Sequence, residues 1–217
     1  MRFVLASQSP ARLAVLRSAG LDPSVVVSGV DEDAVAASLA DPTPVELVRA
    51  LAAAKAEAVF ETLIGTHEGG THDGGADMVI VGCDSMLSIN GEMVGKPLTP
   101  EAARERWASM AGKTGELLTG HAIIRVENGE KTKEASDTEG TTVRFGTPSQ
   151  EEIDAYIASG EPLQVAGGFT LDGRGGWFVE GIDGDFSSVI GISLPLTRRL
   201  LTEVGLSVID LWTRPAS

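Results

Sequence analysis

Apolar and polar positions recur along this chain with two periods, and the changes between them mark its elements. Phe3-Val4-Leu5-Ala6 is an unbroken apolar run of strand length. Ser9-Pro10 follows: the hydroxyl can cap free N–H groups, and proline fits the first helical position. Leu13 and Leu16 give that helix its apolar face and Gly20 ends it. VVVSGV at 25–30 reads as a second strand, with the acidic Asp31-Glu32-Asp33 behind it. A long alanine-rich helix is expected from Pro44 to Leu63. MVIVGCD at 78–84 reads as the most buried strand, continued by 85–94 as a hairpin pinned by Asn90-Gly91. Thr99-Pro100 opens another helix, with Ala103, Trp107 and Met110 on one face and Gly112 beyond its end.

Strands at 121–126 and 134–145 are separated by a turn at Glu127-Asn128-Gly129-Glu130. Ser149 and Glu152 form a capping-box pattern ahead of the stripe Ile153, Tyr156, Ile157. From Gly160 to Gly191 glycines recur among short apolar pieces, then a helix runs from Leu194 to its stop at Gly205. A short tail strand through Val208 and Leu211 closes the pattern. The mixture predicts an α/β fold in one domain over 1–217, built as two lobes around a cleft. GTHEGGTHDGGAD at 65–77 has no period and reads as a flexible surface insertion. His67 and His72 lie in it, and a loop reading is preferred there to a metal pair.

Composition narrows the partners. The 217 residues are 42% hydrophobic and 22% charged, the balance of a soluble globular protein. With 31 acidic residues against 17 basic ones the formal charge is -14, which repels nucleic-acid polymers and anionic membranes. A phosphate-bearing small molecule can still bind where charge is locally positive or a metal intervenes. Cys83 is the only cysteine, so no intrachain disulfide can form. Ser7, Gln8, Ser9 and Arg12 interrupt the first apolar run too early for a signal-peptide core, and no stretch reaches the length of a membrane span. A cytoplasmic protein is expected.

Several residue groups could carry chemistry. Ser7, Ser9 and Arg12 occupy a strand-to-helix junction, where hydroxyls, a guanidinium and helix N–H groups make an anion site. The plainer reading is a cap with a surface arginine. The glycines and Gly-Lys-Ser/Thr ending of a Walker loop are absent. Asp84, ending VIVGCD, stands where α/β folds place ligands; it could hold Mg²⁺, activate water, or merely cap a turn. Lys55 interrupts the stripe Leu51, Val59, Leu63, so its ammonium must snorkel outward or meet a fixed anion, and the second is favoured. Lys96 in Gly95-Lys96-Pro97 is a candidate second cation. Glu32 could complete a metal site with Asp84, or be solvated like most acidic runs. Asp183 and Asp185 among glycines read as turn residues, and Cys83 as core filler.

Seven blocks in order resemble the Maf family of nucleoside triphosphate pyrophosphatases, the septum-formation proteins. They are LASQSPAR (5–12), VDED (30–33), Lys55 with its following alanine, VGCDS (81–85), GKP (95–97), SGEPLQVAGGFTLDGRG (159–175) and GIDGDFSSVIGISLP (181–195). Each block alone is weak; the ordered set is specific and covers nearly the whole chain. The resemblance implies a Maf/inosine-triphosphatase-like fold, with an elongated central mixed sheet, flanking helices and two lobes around a cleft. It implies a cytoplasmic homodimer that uses a divalent cation, Mg²⁺ first and Mn²⁺ or Co²⁺ as alternatives. It also implies cleavage of nucleoside triphosphates, modified ones included, between the α- and β-phosphates to monophosphate and pyrophosphate. Carried over residue by residue, Ser9 and Arg12 bind phosphate, with Ser7 beside them from the junction reading; Glu32 and Asp84 hold the cation, Asp84 activates water, and Lys55 and Lys96 neutralise the triphosphate.

Three departures bear on substrate choice. The thymidine- and uridine-triphosphate branch commonly has an arginine pair after Ser-Pro, where this chain has Ala11 before Arg12. Its threonine after the aspartate is Ser85 here, and its Y-G-I-Q-G segment is Phe169-Thr170-Leu171-Asp172-Gly173. Asp172 replaces an amide by an acceptor-only carboxylate, so the same base contacts cannot form. The 7-methylguanosine-triphosphate branch is not cleanly matched either, and the base stays unassigned. Two other functions compete: a nucleotide-binding regulator of division or septum formation with little hydrolysis, and an ordinary phosphatase releasing inorganic phosphate.

Overall fold

The computed structural model describes residues 1–65 and 77–212. The expected insertion at 65–77, with His67 and His72, falls almost wholly outside the described residues. The chain divides into two compact units. One comprises Met1–Asp84, Gly120–Thr138 and Leu194–Ser217, the other Ser85–Thr119 and Glu139–Ser193.

Seven strands form a mixed sheet: β1 (Arg2–Ala6), β2 (Ser24–Val25), β3 (Met78–Ile89), β4 (Glu92–Val94), β5 (Thr114–Glu127), β6 (Glu130–Phe145) and β7 (Val179–Asp183). Their order is β2-β1-β3-β5-β6-β7, with β4 paired to β3. β1 runs parallel to β2 and β3, while β4 is antiparallel to β3 and β7 to β6. Helices α1 (Pro10–Ser18), α2 (Glu32–Ser38), α3 (Pro44–Gly65), α4 (Pro100–Met110), α5 (Gln150–Ala158), α6 (Phe186–Ile190) and α7 (Leu194–Glu203) complete the α/β architecture.

In the first unit the position of α3 is dictated by two glycines. A Cβ on Gly82 of β3 would meet the Ala52 carbonyl oxygen and the Ala56 amide. One on Gly120 of β5 would meet the Val48 carbonyl and the Arg49 amide. The helix backbone therefore rests directly on the sheet at both places. Its small residues Ala52 and Ala56, with Val59, fill one apolar cluster with Val4, Ala6, Ile80, Ala122 and Ile124. Side chains alternate along a strand, so Ile80, Gly82 and Asp84 face α3 while Val79, Val81 and Cys83 face away. Alanine richness in α3, which on its own reads only as helix propensity, is what allows this approach.

The second unit is organised by Trp107 of α4. Its indole meets Phe145, Tyr156 and Phe178 edge-on at centroid separations of 6.0, 5.9 and 5.7 Å. Its Nε1 donates to the Gly168 carbonyl at 2.9 Å, satisfying the one polar atom of a fully buried side chain. The glycine-rich tract is thereby ordered as 3₁₀ turns at Glu161–Gln164, Ala166–Gly168 and Arg174–Phe178, ahead of β7 and α6. Ser149 and Glu152 form the capping box expected for α5.

Local expectations are corrected at several points; the strand expected at 121–126 begins earlier, at Thr114, as β5. The strand expected at 25–30 is reduced to Ser24–Val25, which registers with Val4 and Leu5 of β1. The acidic run after it starts a helix: Asp31 caps α2 through the Ala34 amide, and Glu32 and Asp33 sit in the first turn, where carboxylates suit the helix dipole. The tail forms a 3₁₀ turn at Val208–Asp210, held by a reciprocal Ser207–Asp210 cap, rather than a strand. β6 begins at Glu130, earlier than its apolar residues indicate; its first half is largely exposed, so sheet pairing rather than burial fixes it there.

Candidate phosphate and cation site

The docking of α3 at Gly82 determines what its lysine can reach. Lys55 precedes Ala56 by one residue, and Asp84 follows Gly82 by two on the same face of β3. The Lys55 ammonium lies 2.5 Å from Asp84 Oδ1 and 2.6 Å from Glu32 Oε1. The lysine and aspartate side chains are only 11% and 9% exposed, whereas Glu32 is 52% exposed. The lysine in the apolar stripe thus points at fixed carboxylates. Asp84 does not follow the strand, as expected, but lies within it, since β3 continues to Ile89. Its parallel neighbour has already ended: β1 registers Ala6 with Gly82 and goes no further. The carboxylate emerges where the parallel pairing stops.

The junction after β1 is tied to the same place. Ser9 caps α1, its Oγ accepting from the Arg12 amide at 3.4 Å. Ser7, only 8% exposed, accepts through Oγ from the Ser9 amide and from Arg12 Nη1, both at 3.1 Å. Arg12 Nη1 also donates to the Cys83 carbonyl at 2.9 Å. The guanidinium is therefore held between the ends of β1 and the parallel part of β3, one residue from Asp84. Ser7 accordingly acts as a brace for Arg12. Burial pushes the Cys83 thiol up to about 11, so it stays protonated at neutral pH and is no nucleophile. Ala11 is half-buried on α1 beside Arg12.

Ser7, Ser9, Arg12, Glu32, Lys55 and Asp84 thus gather in the first unit. Lys96, Ser85 and Asp172 belong to the second. Lys96 is exposed, and the stretch carrying it is anchored through the Gly95 carbonyl, which accepts from Arg106 Nη1 at 2.9 Å and the Gly167 amide at 3.1 Å. Ser85 alternates to the side of β3 opposite Asp84. There its Oγ lies 3.0 Å from Thr119 Oγ1, which donates to the Ser188 carbonyl at 3.1 Å. Thr119 has one hydroxyl proton, so Ser85 is the donor in their contact. Asp172 is exposed in a bend that sequence patterns left undefined.

That bend is fixed by Glu161, Thr170 and Tyr156, none of which the sequence pattern assigned to this role. Glu161 Oε1 accepts from Thr170 Oγ1 at 2.5 Å and from the Gly175 amide at 3.2 Å, while Tyr156 Oη accepts from the Thr170 amide at 3.2 Å. Burial raises the Tyr156 hydroxyl to about 12. Burial also acts to raise the Glu161 carboxyl, but the Thr170 hydroxyl and the Gly175 and Arg174 amides outweigh it and hold it below its ordinary value. No periodic signal marks Glu161 or Thr170, because they pair with each other and with backbone and side chains within an aperiodic tract. Asp185 caps α6 through the Ser187 amide at 2.9 Å and Asp183 ends β7, so neither is the tight-turn residue expected.

Two carboxylate oxygens directed at one positive centre suit a hard divalent cation, so Glu32 and Asp84 fit such an ion. Among the described residues no group of three or more His, Cys, Asp or Glu gathers for a metal. A cation at this pair would depend on phosphate and water for its remaining ligands.

A mixed sheet with Arg12, Lys55, Glu32 and Asp84 gathered where its parallel pairing stops defines an α/β protein with a charged site. The Maf-like protein family model matches residues 2–204, and the chain belongs to that family. It is 64% identical over 218 residues to a protein of Saccharopolyspora erythraea, covering 100% of both chains. It is 59% identical to one from Nocardia farcinica, over 99% of this chain and 98% of that one. A Rhodococcus opacus protein is 57% identical over 97% and 95% of the two chains. All three bear the name nucleoside triphosphate pyrophosphatase. Among the described residues no helix is long and apolar enough to cross a membrane.

Proposed function

We propose that this chain is a cytoplasmic nucleoside triphosphate pyrophosphatase that splits the bond between the α- and β-phosphates and releases a nucleoside monophosphate and pyrophosphate. The observation that carries the reading is the Lys55 ammonium held between Glu32 and Asp84, one residue from the carbonyl that anchors Arg12. The names of the full-length relatives support it.

Arg12 and the N-terminus of α1, capped by Ser9, bind phosphate oxygens, and the Ser7 brace keeps the guanidinium from swinging into solvent. Asp84 accepts a proton from the attacking water. The water oxygen bonds to the α-phosphorus while the bond from that phosphorus to the bridging oxygen breaks, and pyrophosphate leaves with the bond's electrons. Lys55 offsets the negative charge on the phosphoryl oxygens. Lys96 takes the same part on the strength of the Gly-Lys-Pro match. Glu32 and Asp84 would hold a divalent cation, Mg²⁺ first, which when bound supplies charge neutralisation on the triphosphate. Base selection is assigned to Ala11 and Asp172; Ser85, turned from Asp84 and tied to Thr119, is better placed to steady β3.

The test is a product assay with Mg²⁺, Mn²⁺ or Co²⁺ against standard, deoxy and modified nucleoside triphosphates. Equimolar monophosphate and pyrophosphate support the reading. Inorganic phosphate alone would point to an ordinary phosphatase, and tight binding without turnover to a nucleotide-binding regulator. Light scattering of the purified chain tests the homodimer, which would elute at twice the chain mass.

A further inference from the structure

The carboxylates that fit a divalent cation already hold a cation that belongs to the chain. Two of the three N–H groups of the Lys55 ammonium are directed at Glu32 and Asp84, at 2.6 and 2.5 Å. Lys55 stands midway between buried Leu51 and Val59 at four-residue spacing, and the backbone of that helix is fixed on Gly82 and Gly120. The ammonium is therefore delivered to the carboxylates by the packing of the fold. Asp84 is nearly buried, so removing its partner without replacement would leave an uncompensated charge out of water. A metal ion and the ammonium carry the same sign, and they compete for the same pair of oxygens.

We propose that Lys55 is an internal competitor for the metal-binding carboxylates, and that it couples divalent-cation binding to triphosphate binding. In the free protein the ammonium offsets half of the charge on Glu32 and Asp84 and weakens metal binding. A triphosphate offers the ammonium another anion, so the lysine leaves the carboxylates to the metal. By linkage, each ligand then tightens the other by the same factor. This rests on the assignment of Glu32 and Asp84 as the cation's ligands, but not on hydrolysis. A lysine at this point thus makes the protein take up metal together with nucleotide in preference to metal alone.

The experiment measures binding, using Mn²⁺ titration by calorimetry or electron paramagnetic resonance on the full chain. Wild type is compared with Lys55→Met and Lys55→Gln, with and without an α,β-methylene triphosphate that cannot be cleaved. Without nucleotide, both variants bind Mn²⁺ about ten-fold more tightly than wild type, within the usual range of coupling between sites. The analogue tightens Mn²⁺ binding in all three proteins, because its phosphates also ligate the ion, but by about ten-fold more in wild type than in the variants. Thermal melts with and without Mn²⁺ supply a second readout: the variants melt lower than wild type, and Mn²⁺ restores more of the loss than it adds to wild type. Equal or weaker Mn²⁺ binding in folded variants overturns the proposal, as does an analogue effect as large in Lys55→Met as in wild type. Failure of the proposed activity would appear separately, as wild type that couples Mn²⁺ and analogue but releases no pyrophosphate.

Discussion

Asp84 keeps 9% of its side-chain surface exposed, enough to meet a water molecule while the rest stays against α3. Asp84→Asn preserves the shape and removes the proton acceptor, so turnover should fall by about 10³-fold, in the range general-base groups supply. The fold should survive, because Lys55 keeps Glu32 as a partner; pyrophosphate release and a thermal melt on one preparation check both halves. Much of this site was legible in the sequence. A lysine breaking an apolar helical stripe, an acid closing an apolar strand and a serine-arginine junction each raise a chemical question alone. What could not be read was their pairing. Glu32 could be read as a metal ligand or as a solvated acid until its carboxylate was found 2.6 Å from the Lys55 ammonium, with Asp31 capping α2. Ser85 looked like a neighbour of the chemistry until strand alternation turned it toward Thr119.

The contact between α3 and the sheet carries the site, so small changes there should act at a distance. Gly82→Ala sets a methyl group against the Ala52 carbonyl and the Ala56 amide, neither of which can yield without moving the helix. The cost should be about 1–3 kcal/mol, as for other overpacked cores, measured as a lowered urea midpoint. Turnover should fall as well, because displacing α3 withdraws Lys55 from Asp84. Gly65→Ala, whose Cβ meets nothing within 4 Å, should do neither. Elements with strong periodicity or caps were readable: α3, α4, α5 and the β3–β4 hairpin with its left-handed Asn90 and Gly91 follow their signals. The glycine tract was not, since its order comes from Trp107, Tyr156 and Glu161, which are remote or aperiodic partners.

For the molecule as a whole, buried acids that resist ionisation set its alkaline limit. An unfolded thiol releases its proton from its ordinary value of 9.0, whereas burial holds the folded Cys83 proton to about 11. Burial likewise moves Tyr156 from 10.0 to about 12. Across these windows the unfolded chain binds fewer protons, so stability falls as pH rises above 9.0. Urea midpoints from pH 8 to 11 should show the decline, and Cys83→Ala should flatten its first part. At the other extreme Glu161, held below its ordinary 4.5, contributes stability above that value which is lost as acid titrates it through its folded one. Between these limits the chain carries its own counter-ion where a metal would otherwise be required. Proteins whose ligands are gathered only by a metal unfold under chelators. Here the Lys55 ammonium already holds Glu32 and Asp84 together. EDTA should therefore leave the melting temperature unchanged while it abolishes turnover. A newly made chain can mature before it meets any ion, and metal scarcity would idle this protein without exposing it to proteolysis.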